Sequence, residues 1–369
     1  MEHDKNVDVN AGDERPLVPA LRVVHLAGGL RAIDFNQPQV RIEVVPNVQF
    51  GSFRTPDYQN LFQVLVTLGF RPIGADFYTR HADSEGSPPD WQAFRVDGGY
   101  YAMLAERSWS GVRYAASRDG NATLEILASK ARTYLRLLPL RLRQLSEAYN
   151  SSLARALTGR STVKIGHHFG NEWGEHIDAA IHAFLSDAAA FRDVLSEIVW
   201  RVILGNDDKS VTSLSGLLNK TKNNRHPIVV LIRESAKDGW ISHLSDLRNQ
   251  IVHVAPVADS QEHHMCELRA HRSPSGQDIP TIHLALLEGS GHVRKPSSTF
   301  VDYNDEEAVK ASLASYQEYV RSSRDALDVC EYFCAKLVSL SMRIKNFGFL
   351  EEREIIITDD DIVGPIELY

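Results

Sequence analysis

The sequence predicts an α+β protein: a small mixed α/β unit first, then an α-helical bundle carrying a β-hairpin insertion. Three observations carry this. Residues 21–51 hold two runs rich in β-branched side chains, LRVVHLAGG and QVRIEVVPNVQFG. Residues 121–158, 172–254 and 304–344 are dominated by apolar side chains at helical spacing. Residues 263–288 alternate around the turn sequence SPSGQD in the manner of a hairpin. A length of 369 residues fits two or three domains at about 100–200 residues each. These are placed at 16–160 and 161–345, between an acidic N-terminal stretch (1–15) and an acidic tail (346–369).

Within the first unit, 21–29 and 39–51 read as strands. YQNLFQVLVTLGF (58–70) reads as a helix ended by Gly69. DFYTRHA (76–82) and WQAFRVDGGYYAMLAERSW (91–109) read as further strands, and SGVRYAASRDG (110–120) closes on an Asp-Gly turn. A long helix follows over 121–158, with Leu124, Leu127, Leu135, Leu138, Leu142 and Leu145 as its apolar stripe. Pro139 should kink or divide it.

The bundle begins with an Ala-rich amphipathic helix over 172–204. A short helix at 211–220, a helix opened by Pro227 and broken by Gly239, and a helix at 241–254 stopped before Pro256 follow. After the hairpin, 304–344 reads as one helix, with Asn304 or Asp305 as its cap.

The formal net charge is −8, which at face value disfavours a nucleic-acid partner. The acids, however, are at the ends. Residues 1–15, expected to be disordered, carry −3 and residues 351–369 carry −6, leaving residues 16–350 at +1. The body concentrates positive charge in two places. Arg132, Arg136 and Arg143 fall on one face of the long helix. Lys220, Lys222 and Arg225 lie in the loop NKTKNNRHP (219–227). Each set suits RNA phosphates, although either one alone is explained more simply as a solvated surface. No run approaches the ~20 apolar residues of a membrane span, and no basic-then-apolar leader opens the chain. Three cysteines make no disulfide framework; Cys330 and Cys334, one turn apart, read as core. A cytoplasmic protein without membrane contact is expected.

The segment DLRNQIVHV (246–254) carries the chemistry. Arg248, Asn249 and His253 form an Arg-polar-x-x-x-His pattern near the end of a bundle helix. On these residues, on FRDVLSEIVW (191–200) in the first long helix and on the long closing helix, the region 165–345 resembles the HEPN superfamily. The resemblance implies a helical bundle and, for many members, a metal-independent endoribonuclease, here a toxin or defence effector. It implies a homodimer whose paired bundles compose the site, and RNA cleavage by its own 2′-hydroxyl to a 2′,3′-cyclic phosphate and a 5′-hydroxyl. His253 would act as general base or acid, since an ordinary histidine pKa of about 6.5 suits the task. Arg248 would bind the scissile phosphate and Asn249 would orient the histidine or a phosphate oxygen. No cofactor and no metal are required. Arg248 and His253 are about 140° apart around one helix, so a second copy, or unwinding before Pro256, would be needed to converge them.

Other readings stay open. Arg248 can pair with Asp193 or Glu197, and His253 can cap its own helix. Some HEPN members are inactive, so a non-catalytic RNA- or nucleotide-binding or dimerisation protein is the alternative, and a plain interaction protein a third. Residues 172–182 hold Glu172, Glu175, His176, Asp178 and His182 but miss the His-x-x-Glu-His zinc order, Glu172 standing at the first His position. His263, His264, Cys266 and His271 split across strand faces. Phosphate-loop, dinucleotide and nucleophile-elbow signatures are absent. The N-terminal unit holds no catalytic constellation and is expected to receive a partner or trigger.

Overall fold

The computed structural model describes residues 22–35, 39–45, 48–54, 58–78, 88–93, 101–158, 163–206, 208–237, 239–249, 266–272, 276–286, 305–311, 314 and 323–354. It is a mixed α+β architecture with two antiparallel sheets among the described residues. The first sheet has six strands in the order β4-β3-β2-β1-β5-β6. These are β1 (Arg22–Leu26), β2 (Arg31–Asp34), β3 (Gln39–Val45), β4 (Val48–Arg54), β5 (Pro72–Phe77) and β6 (Asp90–Ala93). Helix α1 (Tyr58–Thr67) joins β4 to β5 and ends where Gly69 takes a φ of 80°.

Helices α2 (Ala102–Arg118) and α3 (Ala122–Thr158) form an antiparallel pair through the Asp119–Gly120 turn. The strand expected over 91–109 is corrected here: among the described residues strand covers Asp90–Ala93, and 102–109 belong to a helix that starts at Ala102. Buried Ala105, Trp109, Val112 and Ala116 recur every three or four residues, and that spacing outweighs the local β-propensity of the aromatic residues. Strand β5 starts four residues before the 76–82 expectation and shares Asp76 and Phe77 with it; residues 79–82 lie outside the described residues. Pro139 does not divide α3, which runs continuously with Pro139 buried inside it. The leucine stripe faces the core: Leu127, Leu135, Leu138, Leu142 and Leu145 are buried.

The second part contains β7 (His168–Phe169), α4 (Gly174–Ile198), α5 (Leu214–Lys220), α6 (Pro227–Lys237), α7 (Trp240–Asn249), the hairpin β8 (Cys266–Arg272) and β9 (Asp278–His283), and α8 (Ala326–Phe347). A π turn at Val199–Ile203 prolongs α4. Ser213 caps α5 by accepting the Gly216 amide. The expected single helix over 304–344 is broken. A helical turn at 306–311 is capped by Asp305, and α8 begins only after Asp325, whose backbone is extended. Cys330 and Cys334 are buried free thiols on α8.

The expected boundary at 160/161 falls between α3 and α4, which pack against each other within one continuous apolar core that also reaches the first sheet. The β1–β2 turn is wedged into this junction. Gly29 has a φ of 84°, and a Cβ there would stand 2.9 Å from the Tyr149 carbonyl oxygen of α3. Its own carbonyl accepts the Asn150 side-chain amide at 2.8 Å. Gly29→Ala therefore meets both a left-handed backbone and a backbone atom that cannot yield. It is expected to lower the urea-unfolding free energy by ~2–3 kcal/mol. Gly120→Ala, at a φ of 70° with open space around it, should cost only ~1 kcal/mol. Equal losses would show that the Tyr149 contact is unimportant.

Arg71 pairs with Asp328 and Glu331 of α8. The beginning of the acidic tail lies along α2: Glu352 binds Lys345 and accepts from Ser108, and Arg353 pairs with Asp119. Residues 1–15 and 355–369 lie outside the described residues. No described helix is long and apolar enough to cross a membrane.

Candidate functional site

Helix α7 buries Ile241, Leu244 and Leu247 and packs on α4. That leaves its last turn, Arg248 and Asn249, at the edge of the bundle. Arg248 Nη1 donates to Asn249 Oδ1 at 3.1 Å. His253 lies outside the described residues. Both described motif residues line a groove of about 600 Å³ between α4, α5 and α7. The opposite wall is Arg192 and Asp193 of α4. Arg192 donates to Ser245 Oγ at 2.7 Å and to Asp193 Oδ1 at 2.9 Å. Asp193 also accepts the Leu214 amide at 3.0 Å, which fixes the start of α5. Glu197 takes Arg201 at 3.0 Å and Lys130 at 3.8 Å. The groove therefore offers the Arg248 guanidinium, an amide and several serine hydroxyls, a donor set suited to a phosphodiester, with Arg192 held by the Asp193 carboxylate.

Lys220, the last residue of α5, and Lys222 and Arg225 just beyond it are all exposed. Their loop is held by Arg233 Nη2, which donates to the Thr221 and Asn224 carbonyls at 2.5 and 3.1 Å. At 1.5 Å per residue, α5 places Lys220 about 10 Å from the groove-lining Ser213 end.

The other basic set is brought together but largely neutralised. Arg132, Arg136 and Arg143 line one groove of about 620 Å³ with Trp91. Arg132 pairs with Glu106 at 2.7 Å, and Arg143 with Asp76 at 2.7 Å and Glu147 at 3.0 Å. A phosphate would have to displace these acids, so anion binding on this face rests on the exposed Arg136.

Two buried polar clusters escaped the sequence reading. In the first, His25 lies between Ser146 Oγ and Asp76 Oδ2, each at 3.2 Å, with Arg143 on the far side of Asp76. Burial lowers the His25 pKa, the Asp76 bond opposing it. Burial would raise that of Asp76, but its bonds to His25 and Arg143 hold it below its ordinary value. The order Ser-His-Asp matches a hydrolytic triad, yet all three residues are at most 2% exposed and Ser146 sits mid-helix in α3. No substrate reaches it, and it serves as a polar clamp between sheet and helix.

In the second, Asp325 accepts the Leu284 amide at 2.9 Å, the Tyr149 hydroxyl at 3.1 Å and the Leu327 amide at 3.1 Å. Burial, with the Asp328 charge adding, raises its pKa from 3.8 to about 7 despite these bonds. The folded state thus holds this proton more tightly than the unfolded chain. Stability should fall as pH rises across that window and level off above it. Asp325→Asn cannot ionise and lacks this slope. Wild type should lose ground to Asp325→Asn in urea unfolding between pH 5 and pH 8, with about 4 kcal/mol over the full window as the ceiling. A pH-independent difference would count against it.

Among the candidate metal ligands, Glu172 pairs with Arg155 at 2.8 Å, His176 packs on Trp173 and His271 stacks on Phe70. Among the described residues no group of three His, Cys, Asp or Glu side chains is arranged to hold a metal. His263 and His264 lie outside them.

No family model matches the chain, and no curated protein or solved structure matches it.

Proposed function

We propose that this chain is a HEPN-type, metal-independent endoribonuclease acting as a cytoplasmic homodimer, of the toxin or defence-effector kind. The observation that supports it best is the position of Arg248 and Asn249: the end of α7, on the rim of an open groove faced by Arg192 and flanked by an exposed basic loop. His253 takes the proton of the attacking 2′-hydroxyl or returns one to the leaving 5′-oxygen. Arg248 neutralises charge on the non-bridging oxygens, and Asn249 orients its partner group. The attacking oxygen belongs to the substrate, so no metal is needed to generate a nucleophile. Lys220, Lys222 and Arg225 carry the RNA backbone past the groove, with Arg136 as a further contact.

The test is incubation of the purified chain with mixed RNA in excess EDTA, followed by analysis of the new ends. Cleavage leaving 2′,3′-cyclic phosphate and 5′-hydroxyl termini is expected. Cleavage that stops on chelation, or that leaves 5′-phosphates, overturns the assignment. RNA binding without cleavage would instead favour the non-catalytic alternative.

A further inference from the structure

A second open cavity, of about 540 Å³, lies where β2, α3 and α4 meet, and shares no lining residue with the Arg248 groove. Its size falls in the range of small-molecule sites. Arg31 enters from β2, directly opposite His25 in the β1–β2 register. The Arg31 Nε is buried and has no hydrogen-bond partner among the described residues. An unsatisfied buried guanidinium donor is costly, and the Arg31 side chain is not held in place by a bond at that nitrogen. Burial lowers the Arg31 pKa, with Glu147 and Asp76 opposing.

Among the other lining charges, Arg141 pairs with Asp187 at 2.8 Å, and Glu147 lies 3.0 Å from Arg143, which Asp76 also shares. Arg31 is the lining cation that forms no ion pair among the described residues. At the start of α4, Trp173 and His176 pack with ring centroids 4.9 Å apart and form an aromatic wall. Ala179 and Ala180 of α4 and Ala148 of α3 keep the floor low.

We propose that this cavity binds a small nucleoside phosphate, its phosphate on Arg31 and its base against Trp173 and His176. A phosphate pairs with the Arg31 guanidinium where that side chain lines the cavity, and a planar base covers the aromatic wall at the other end of the alanine floor. The site does not depend on the nuclease assignment. Its connection to the Arg248 groove is α4 itself, since Arg192 lies 16 residues beyond His176, about 24 Å along the helix. The N-terminal unit, through Arg31, thereby contributes a ligand contact to the bundle.

The experiment is isothermal titration of the full chain with AMP, GMP, CMP and UMP, with inorganic phosphate and adenosine as separate arms. Saturable binding of at least one nucleotide is expected, with phosphate and adenosine each weaker. Arg31→Met keeps the apolar stem and should weaken binding about tenfold or more. Ala179→Leu fills the floor from an exposed helix position, removes no polar contact and should weaken it comparably. Urea unfolding of both variants verifies that they are folded. Absence of nucleotide binding at millimolar concentration, unchanged affinity in either variant, or phosphate binding as tightly as the nucleotides would overturn the proposal.

Discussion

Alanine at His253 is expected to lower the chelator-resistant RNA cleavage rate by about 10²–10⁴-fold, the usual contribution of a positioned general acid–base. Arg248→Ala should cost a comparable factor, about 10²–10³, because it removes the donor that meets charge developing on the phosphate. Arg248→Lys keeps the charge but loses the planar fork and should recover only part of the rate. The two alanine losses should not multiply in the double variant, since residues acting as one unit are strongly non-additive. Stability should hardly move, because Arg248 stands at the end of α7 outside the Ile241, Leu244 and Leu247 core face. The measurement is an initial rate on a fluorogenic RNA in EDTA beside a urea-unfolding curve for each variant. Full activity in His253→Ala would remove the endoribonuclease assignment outright. Lost activity with an unchanged unfolding midpoint separates chemistry from folding.

Much of the architecture was legible where local pattern and long-range packing agree. The leucine stripe of α3, the Pro227 start of α6 and the Gly69 stop of α1 are local signals, and each element forms there. The local pattern misleads where the deciding contact lies far away in sequence. Nothing around Asp325 distinguishes it from a mid-helix residue. Its extended backbone is held by Tyr149 and Leu284, 176 and 41 residues away. In α2 the helical spacing of Ala105, Trp109 and Val112 is present in the sequence, but the strand-favouring aromatic residues beside it mask the pattern locally. The candidate site divides in the same way. Arg248 and Asn249 form a contiguous motif and could be found. Arg192 gains its place from Ser245, 53 residues on, and Arg31 faces residues of two distant helices. Helical spacing puts Arg132 and Arg143 on one face but cannot reveal that Glu106 and Asp76 already hold them.

Asp76→Ala is expected to destabilise the protein by about 3–5 kcal/mol, the cost of removing one member of a buried charged set. Asp76 is 2% exposed and serves two partners at once. Arg143 donates to it at 2.7 and 3.2 Å, and the His25 ring lies at 3.2 Å. Without the carboxylate, Arg143 can still reach Glu147, 3.0 Å away, so its charge is partly compensated. His25, neutral at pH 7 because burial lowers its pKa, loses a hydrogen-bond partner instead: it is 1% exposed, Trp91 covers its edge, and Ser146 is what remains to it among the described residues. Ser146→Ala removes that weaker contact and should cost only ~1 kcal/mol. The ratio of the two losses tests the assignment of this array as a clamp. A hydrolytic triad would lose ester-hydrolysing activity in either variant while remaining folded. A clamp loses stability in proportion to the charge stranded. Urea unfolding at pH 7 measures it, and Arg143→Met supplies the cycle. If Asp76→Ala costs clearly less in the Arg143→Met background, the stranded guanidinium contributes to the penalty. Because the folded state holds the Asp76 pKa below its ordinary value, this contribution is present above that value and should fade as pH falls through the folded one.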